Sequence, residues 1–314
     1  MSIRAVVVDQ NVPGKLVIRE VDEPAAGPSD AIVAVAATSL NLGEVRYSQG
    51  WETGTHVGWD LAGIVEVAAA DGSGPSVGSR VAGFIARGAW AQKVAIPASA
   101  LGVVPATVSF TQAATLPVAG LTAYHALKQR GDLLGRKVLI TGASGGVGHF
   151  AVQLAKAAGA FTVALLRSES KRGLVAAAKP DAIVVSADAK AAAQFGPYDL
   201  VVEAVGGETF AAALTMLAKD GVLVTFGATS SSEVTFPLGS FFGNGGNKIY
   251  GLTLFHEVVA EPAGIGLGVL GRLVADGRVV PHVDIETSWD NVADIAQQML
   301  AGKIQGKAVM TIGG

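Results

Sequence analysis

The chain has 314 residues, half of them hydrophobic and 16% charged, with a formal net charge of −3. That length predicts two domains rather than one core, and the slight acidity argues against a nucleic-acid partner. The lack of cysteine removes disulfides, thiol catalysis and cysteine-ligated zinc.

The five histidines, His56, His125, His149, His256 and His282, are scattered, so no metal is expected. No uncharged apolar run reaches the ~20 residues of a spanning helix. Residues 1–9 lack the basic, apolar and cleavage regions of a leader. A cytoplasmic protein with no membrane partner is the expectation.

Residues 3–8 and 16–21 read as strands joined by a Pro13-Gly14 turn, and 31–37, 61–69, 80–85 and 90–96 continue the pattern between turns such as 71–78. A barrel-like β domain is predicted. The character changes near Thr111, where 112–116 and 121–129 have helical composition and are joined through Pro117 and Gly120. Strand and helix then alternate: strands at 138–140, 161–166, 182–185, 200–204, 222–226 and 249–254, with helices from Val147, at 169–178 and at 210–217. This order predicts a parallel sheet covered on both faces. A helix (265–275), a strand (282–285), a helix (292–300) and a closing strand (308–312) return to the first domain.

The stretch 137–159 organises the second domain. An apolar strand leads into Gly142, Gly145, Gly146 and Gly148, after which Val147, Ala151, Leu154, Ala155 and Ala158 recur at helical spacing up to Gly159. In a strand–turn–helix context, glycines let a pyrophosphate reach the amides at the helix start, where the helix dipole favours an anion. Ser144, Gly145, Gly146, Val147 and Gly148 are therefore candidate cofactor ligands. A plain tight turn needs only one or two glycines.

About 20 residues beyond the glycines, an NADH-binding fold carries a carboxylate for the adenosine ribose. This chain instead has Arg167-Ser168 and then Lys171 and Arg172, groups that suit the 2′-phosphate of NADPH, with Glu169 the one charge of the wrong sign. The segment 199–207 ends a strand at the carboxyl edge of the sheet, so Val205 and Gly206 should border the dinucleotide. Phe226-Gly227 and Leu252-Thr253 hold corresponding strand ends nearer the nicotinamide. Phe241-Phe242-Gly243 either packs or closes over cofactor and substrate. Tyr124 and Lys128 have the spacing of a Tyr-x-x-x-Lys pair, but they precede the glycine turn, and coincidence accounts for them better.

Several phrases carry a resemblance: Ser39-Leu40-Asn41 with Glu44; Gly58-Trp59-Asp60-Leu61-Ala62-Gly63; Val77-Gly78-Ser79-Arg80-Val81; Leu116-Pro117-Val118-Ala119-Gly120-Leu121-Thr122; Ser144-Gly145-Gly146-Val147-Gly148; and Gly306-Lys307-Ala308-Val309. Across essentially the whole chain they resemble the medium-chain dehydrogenase/reductase superfamily, in particular its zinc-free quinone oxidoreductase branch. The resemblance implies an α/β protein in which a Rossmann doubly wound parallel sheet (121–256) is inserted into a GroES-like β-barrel catalytic domain (1–120 and 257–314). It further implies hydride transfer from NADPH between the two, Thr122 at the nicotinamide end, and a homodimer paired through the edge strands near 248–254.

Zinc-bearing relatives have a cysteine where Asn41 stands and a histidine where Trp59 stands. Without a metal, polarisation falls to hydrogen bonds, which suits quinones or α,β-unsaturated carbonyls better than simple ketones. Asn41 is the first candidate for the oxyanion donor, with a loop-closing role as its equal alternative. Tyr47 is the second, and the proton comes from it or from water; many quinone reductases have their tyrosine at the place of Arg46. A zinc-free alcohol or ketone reductase and a non-catalytic NADPH-binding redox sensor are the competing readings.

Overall fold

The computed structural model describes residues 2–313. The chain forms two compact units: one comprises the residues up to Leu121, Val258–Gly277 and the stretch from Pro281, and the other comprises Thr122–Glu257 and Arg278–Val280.

The first unit contains β1 (Ser2–Val8), β2 (Leu16–Asp22), β3 (Asp30–Leu40), α1 (Leu42–Ser48), β4 (Asp60–Val67), β5 (Arg80–Phe84), β6 (Lys93–Pro97), β7 (Leu101–Val103) and α2 (Phe110–Ala114). Its long strand β3 is central, pairing antiparallel with both β4 and β6. Strands β1 and β2 pair antiparallel as a separate ribbon. The apolar side chains that alternate along these strands meet in a core with Trp90, Leu16, Leu40, Leu61 and Ile96 fully buried.

From α2 the chain continues through a wide turn of helix, Leu116–Gly120, into α3 (Leu121–Lys128). Pro117 has no N–H to give the ordinary helical ladder, and the wider turn absorbs that loss.

The second unit holds β8 (Lys137–Ile140), α4 (Gly146–Ala157), β9 (Phe161–Leu166), α5 (Arg172–Ala177), β10 (Ala182–Val185), β11 (Tyr198–Glu203), α6 (Gly207–Leu214), β12 (Leu217–Thr225), α7 (Leu238–Phe242), β13 (Lys248–Gly251) and the start of α8 (Leu254–Ala260). Its sheet is parallel throughout, in the order β10-β9-β8-β11-β12-β13. Strand order reverses between β8 and β11, which is where an open α/β sheet leaves a crevice beyond its carboxyl ends. Val138, Leu139 and Ile140 are wholly buried, as expected of a strand covered on both faces.

The tail forms α9 (Ala263–Ala275), β14 (Val283–Ser288), α10 (Val292–Leu300) and β15 (Lys307–Thr311). Strand β15 pairs antiparallel with β3 and parallel with β14. Among the described residues the large sheet runs as a path from β14 to β7, with β6 paired to β3 off that path. Three residues of the tail belong to the second unit instead: the buried Gln153 side chain bonds both the N–H (2.7 Å) and the carbonyl (3.0 Å) of Val280. Among the described residues no single helix is long and apolar enough to cross a membrane.

Candidate functional site

Five segments singled out in the sequence come together at the carboxyl edge of the parallel sheet. They are the glycine turn after β8, Arg167-Ser168 after β9, Val205-Gly206 after β11, Phe226-Gly227 after β12 and Leu252-Thr253 after β13. Thr122 is buried on α3 of the same unit.

The glycines of the turn divide their work. Gly142 takes φ +57°, the left-handed conformation that side chains avoid. At Gly148 a Cβ would lie 2.4 Å from the Gly142 carbonyl oxygen, so this glycine sets how closely α4 packs on the turn. Gly145 is the N-cap of α4 and no side chain caps that end. The first amides of the helix therefore keep their donors for an outside acceptor, and the residues present fit a dinucleotide pyrophosphate.

Beyond β9 the cations separate into two groups. Arg172 is held by Glu169 through a two-pronged ion pair, Nε to Oε1 and Nη2 to Oε2. The pair is exposed and sets the Glu169 carboxylate against a cation three residues on. Ser168 caps the short turn that follows and bonds the Ser170 hydroxyl at 2.8 Å. Arg167 is exposed and lines a cavity of about 1150 Å³ together with Ala187, Asp188, Gly207, Glu208 and Ser231.

In the first unit a buried cluster occupies the start of α1. The Glu44 carboxylate accepts the backbone N–H of Asn41 at 2.7 Å and that of Trp59 at 2.8 Å. Asn41 gives its two amide hydrogens to Glu44 Oε1 and Asp60 Oδ2, both at 2.9 Å, and its Oδ1 accepts from Lys307 Nζ at 2.5 Å. Both donors of Asn41 are thus engaged, and its side chain bonds the side chains of Glu44, Asp60 and Lys307. Asp60 also accepts from Ser39 Oγ at 2.5 Å and from the Val118 N–H at 2.9 Å. Tyr47, by contrast, is 63% exposed on α1, its ring 6.2 Å from that of Trp59.

Burial pushes Glu44 well above the usual carboxylate range and the neighbouring Asp60 charge adds to it, while Lys307 and the Asn41 bonds pull it back. An acid with a raised folded pKa holds its proton in the native chain at pH values where the unfolded chain has released it. Its contribution is complete below its unfolded value near 4.5 and fades as pH rises through the folded value. In denaturant melts between pH 5 and pH 8, the stability of the native chain relative to Glu44→Gln should fall with rising pH. A constant difference would show that Glu44 titrates normally.

Two buried residues carry no local signal in the sequence beyond the segments that contain them: Lys307, which sits between the Leu40 carbonyl, Asn41 and Asp60, and Glu203, which ends β11.

A six-stranded parallel sheet with a glycine-lined turn leading into an uncapped helix defines a dinucleotide-binding α/β protein. Comparison with known proteins agrees: the zinc-binding dehydrogenase family matches residues 146–263. An alcohol dehydrogenase of Geobacillus stearothermophilus is 30% identical over 74% of this chain and 67% of its own length. A mycocerosic acid synthase-like polyketide synthase of Mycobacterium tuberculosis is 30% identical over 93% of this chain, which spans only 14% of that protein. Among solved structures, a mycobacterial quinone oxidoreductase is 26% identical with a TM-score of 0.87, covering 98% of this chain and 99% of that one. A mycobacterial protein complexed with NADPH is 26% identical with a TM-score of 0.85 and the same coverage. The chain belongs to the medium-chain dehydrogenase/reductase superfamily.

The zinc of the family description does not fit the residues at positions 41, 59 and 60. Asn41 is committed on both sides, an indole is no ligand, and Asp60 faces the Lys307 ammonium at 3.4 Å.

Proposed function

We propose that the chain is an NADPH-dependent oxidoreductase that reduces quinones or α,β-unsaturated carbonyls without zinc. The observation that carries the cofactor half is the uncapped start of α4 behind Gly142 and Gly148, with Arg167 at the neighbouring strand end. The amides of Gly146, Val147 and Gly148 would hold the pyrophosphate, the Gly145 N–H being given to the Gly142 carbonyl at 2.9 Å, and Arg167 with Lys171 would hold the 2′-phosphate. Among the described residues neither cation has a hydrogen-bond or ion-pair partner. Phe226, Gly227, Leu252 and Thr253 would line the nicotinamide half.

When bound, NADPH supplies a hydride to a conjugated carbon of the acceptor, and the electron pair of the double bond moves toward oxygen. A conjugated acceptor needs only modest help at that oxygen. The exposed Tyr47 hydroxyl is the donor that remains once Asn41 is committed, and it or water delivers the proton. The likeness to a mycobacterial quinone oxidoreductase supports this substrate class. The chain works in the cytoplasm as a homodimer paired through β13, an edge strand with Ile249 40% exposed that would otherwise stand unprotected.

Two measurements test the reading. NADPH oxidation should proceed with 1,4-benzoquinone and with an enone; turnover with a simple ketone alone would refute the substrate class. Arg167→Ala should weaken NADPH binding by about tenfold and leave NADH binding nearly unchanged. Equal affinity of the native chain for the two nucleotides would remove the case for NADPH.

A further inference from the structure

Glu203 is the last residue of β11 and is fully buried. Its Oε1 accepts three hydrogen bonds: from the Val205 N–H at 2.7 Å, the Gly206 N–H at 3.0 Å and the Thr141 hydroxyl at 3.2 Å. Its Oε2 faces the Thr225 hydroxyl at 3.5 Å. Thr141 follows β8 directly, and Thr225 ends β12. One carboxylate therefore ties together the ends of three adjacent parallel strands.

The groups it holds belong to the backbone that turns away from the sheet. Thr141 opens the glycine turn, and its oxygen accepts the Ala204 N–H at 3.1 Å. Gly206 takes φ +77°, and a Cβ there would lie 2.0 Å from the Ser231 carbonyl oxygen. A single oxygen serving three donors at this point is best supplied by a carboxylate, since charge-assisted bonds are the stronger ones. An amide with its oxygen in the Oε1 position would offer those three donors only a neutral acceptor and would turn its NH2 toward the Thr225 hydroxyl. Because Glu203 takes the amides of Val205 and Gly206, those two residues would border a dinucleotide without donating to it, and the donors for its pyrophosphate would come from the glycine turn.

We infer that Glu203 is a positioning residue for the nicotinamide dinucleotide, acting through Thr141 and the Val205–Gly206 turn to fix the phosphate-binding backbone. The inference rests on the cofactor reading given above. A carboxylate that only fills a polar site in the core would affect stability and leave affinity for the nucleotide alone.

The test uses the full chain with Glu203→Gln, Thr141→Val and the double variant, reading the NADPH dissociation constant by titration, then KM and kcat with 1,4-benzoquinone. Each single variant should weaken NADPH binding and raise its KM by about tenfold, with kcat at saturating NADPH within about twofold. The double variant should be no worse than about the weaker single, because both substitutions break the same link. Unchanged NADPH affinity in folded Glu203→Gln would overturn the inference, as would losses that multiply in the double variant. Should Glu203→Gln fail to fold, Thr141→Val decides, and an unchanged dissociation constant there overturns it. A native chain that binds no NADPH contradicts the cofactor reading itself, a result distinct from variants that bind as the native chain does.

Discussion

Replacing Lys307 with methionine lowers the unfolding free energy by about 3–5 kcal/mol, because it strips the cation from a buried ionic cluster. The Lys307 side chain is 3% exposed, and that of Asp60 is not exposed at all. Its Nζ bonds the Leu40 carbonyl at 2.9 Å and Asn41 Oδ1 at 2.5 Å besides facing Asp60 at 3.4 Å. Methionine matches the length of the stem but leaves those acceptors without a donor, and Asp60 without its counter-charge. The intact cluster need not be worth that much, since removing all its charges together can be neutral. Removing one sign alone is what costs. Denaturant unfolding at neutral pH measures it, and a loss below about 1 kcal/mol would mean that water or a rearranged side chain replaces the ammonium.

Gly148→Val should reduce NADPH affinity by about 100-fold or more. A Cβ at that position would stand 2.4 Å from the Gly142 carbonyl oxygen and 2.7 Å from the Ala143 Cα, both backbone atoms that cannot swing aside. The first turn of α4 must move away from the glycine turn, and the amides lose their common target. Gly268→Ala on α9 is the control: its Cβ would meet only Arg272 Nη1, at 3.7 Å. Nucleotide titration with a parallel thermal melt separates the two, and equal losses in both variants would mean that packing at Gly148 does not govern the turn.

The parallel sheet was the most legible part of this chain. Strand β9 lies where the apolar run at 161–166 places it, because a strand buried on both faces writes its own boundaries; the edge strand β10 matches the run at 182–185 with Val184 alone buried. Helix α1 was less visible, although Asn41 and Glu44 have the spacing that stabilises a helix start. The ion pair between Glu169 and Arg172 was also open to inspection, being three residues apart on one turn. Long-range polar links were not. Lys307 meets Asn41 across 266 positions and Thr141 meets Glu203 across 62, and nothing local in either stretch names the partner. The fate of Asn41 depended on those links. Its spacing suited both a free donor and a loop-closing residue, and nothing in that spacing announces the two carboxylates and the ammonium that the fold brings to its side chain.

The reading is tested most directly by NADPH oxidation with 1,4-benzoquinone after exhaustive dialysis of the protein against a chelator. The account predicts that turnover survives dialysis undiminished, with one NADPH consumed for each quinone reduced. No turnover at all, or turnover that returns only when zinc is added back, would contradict it.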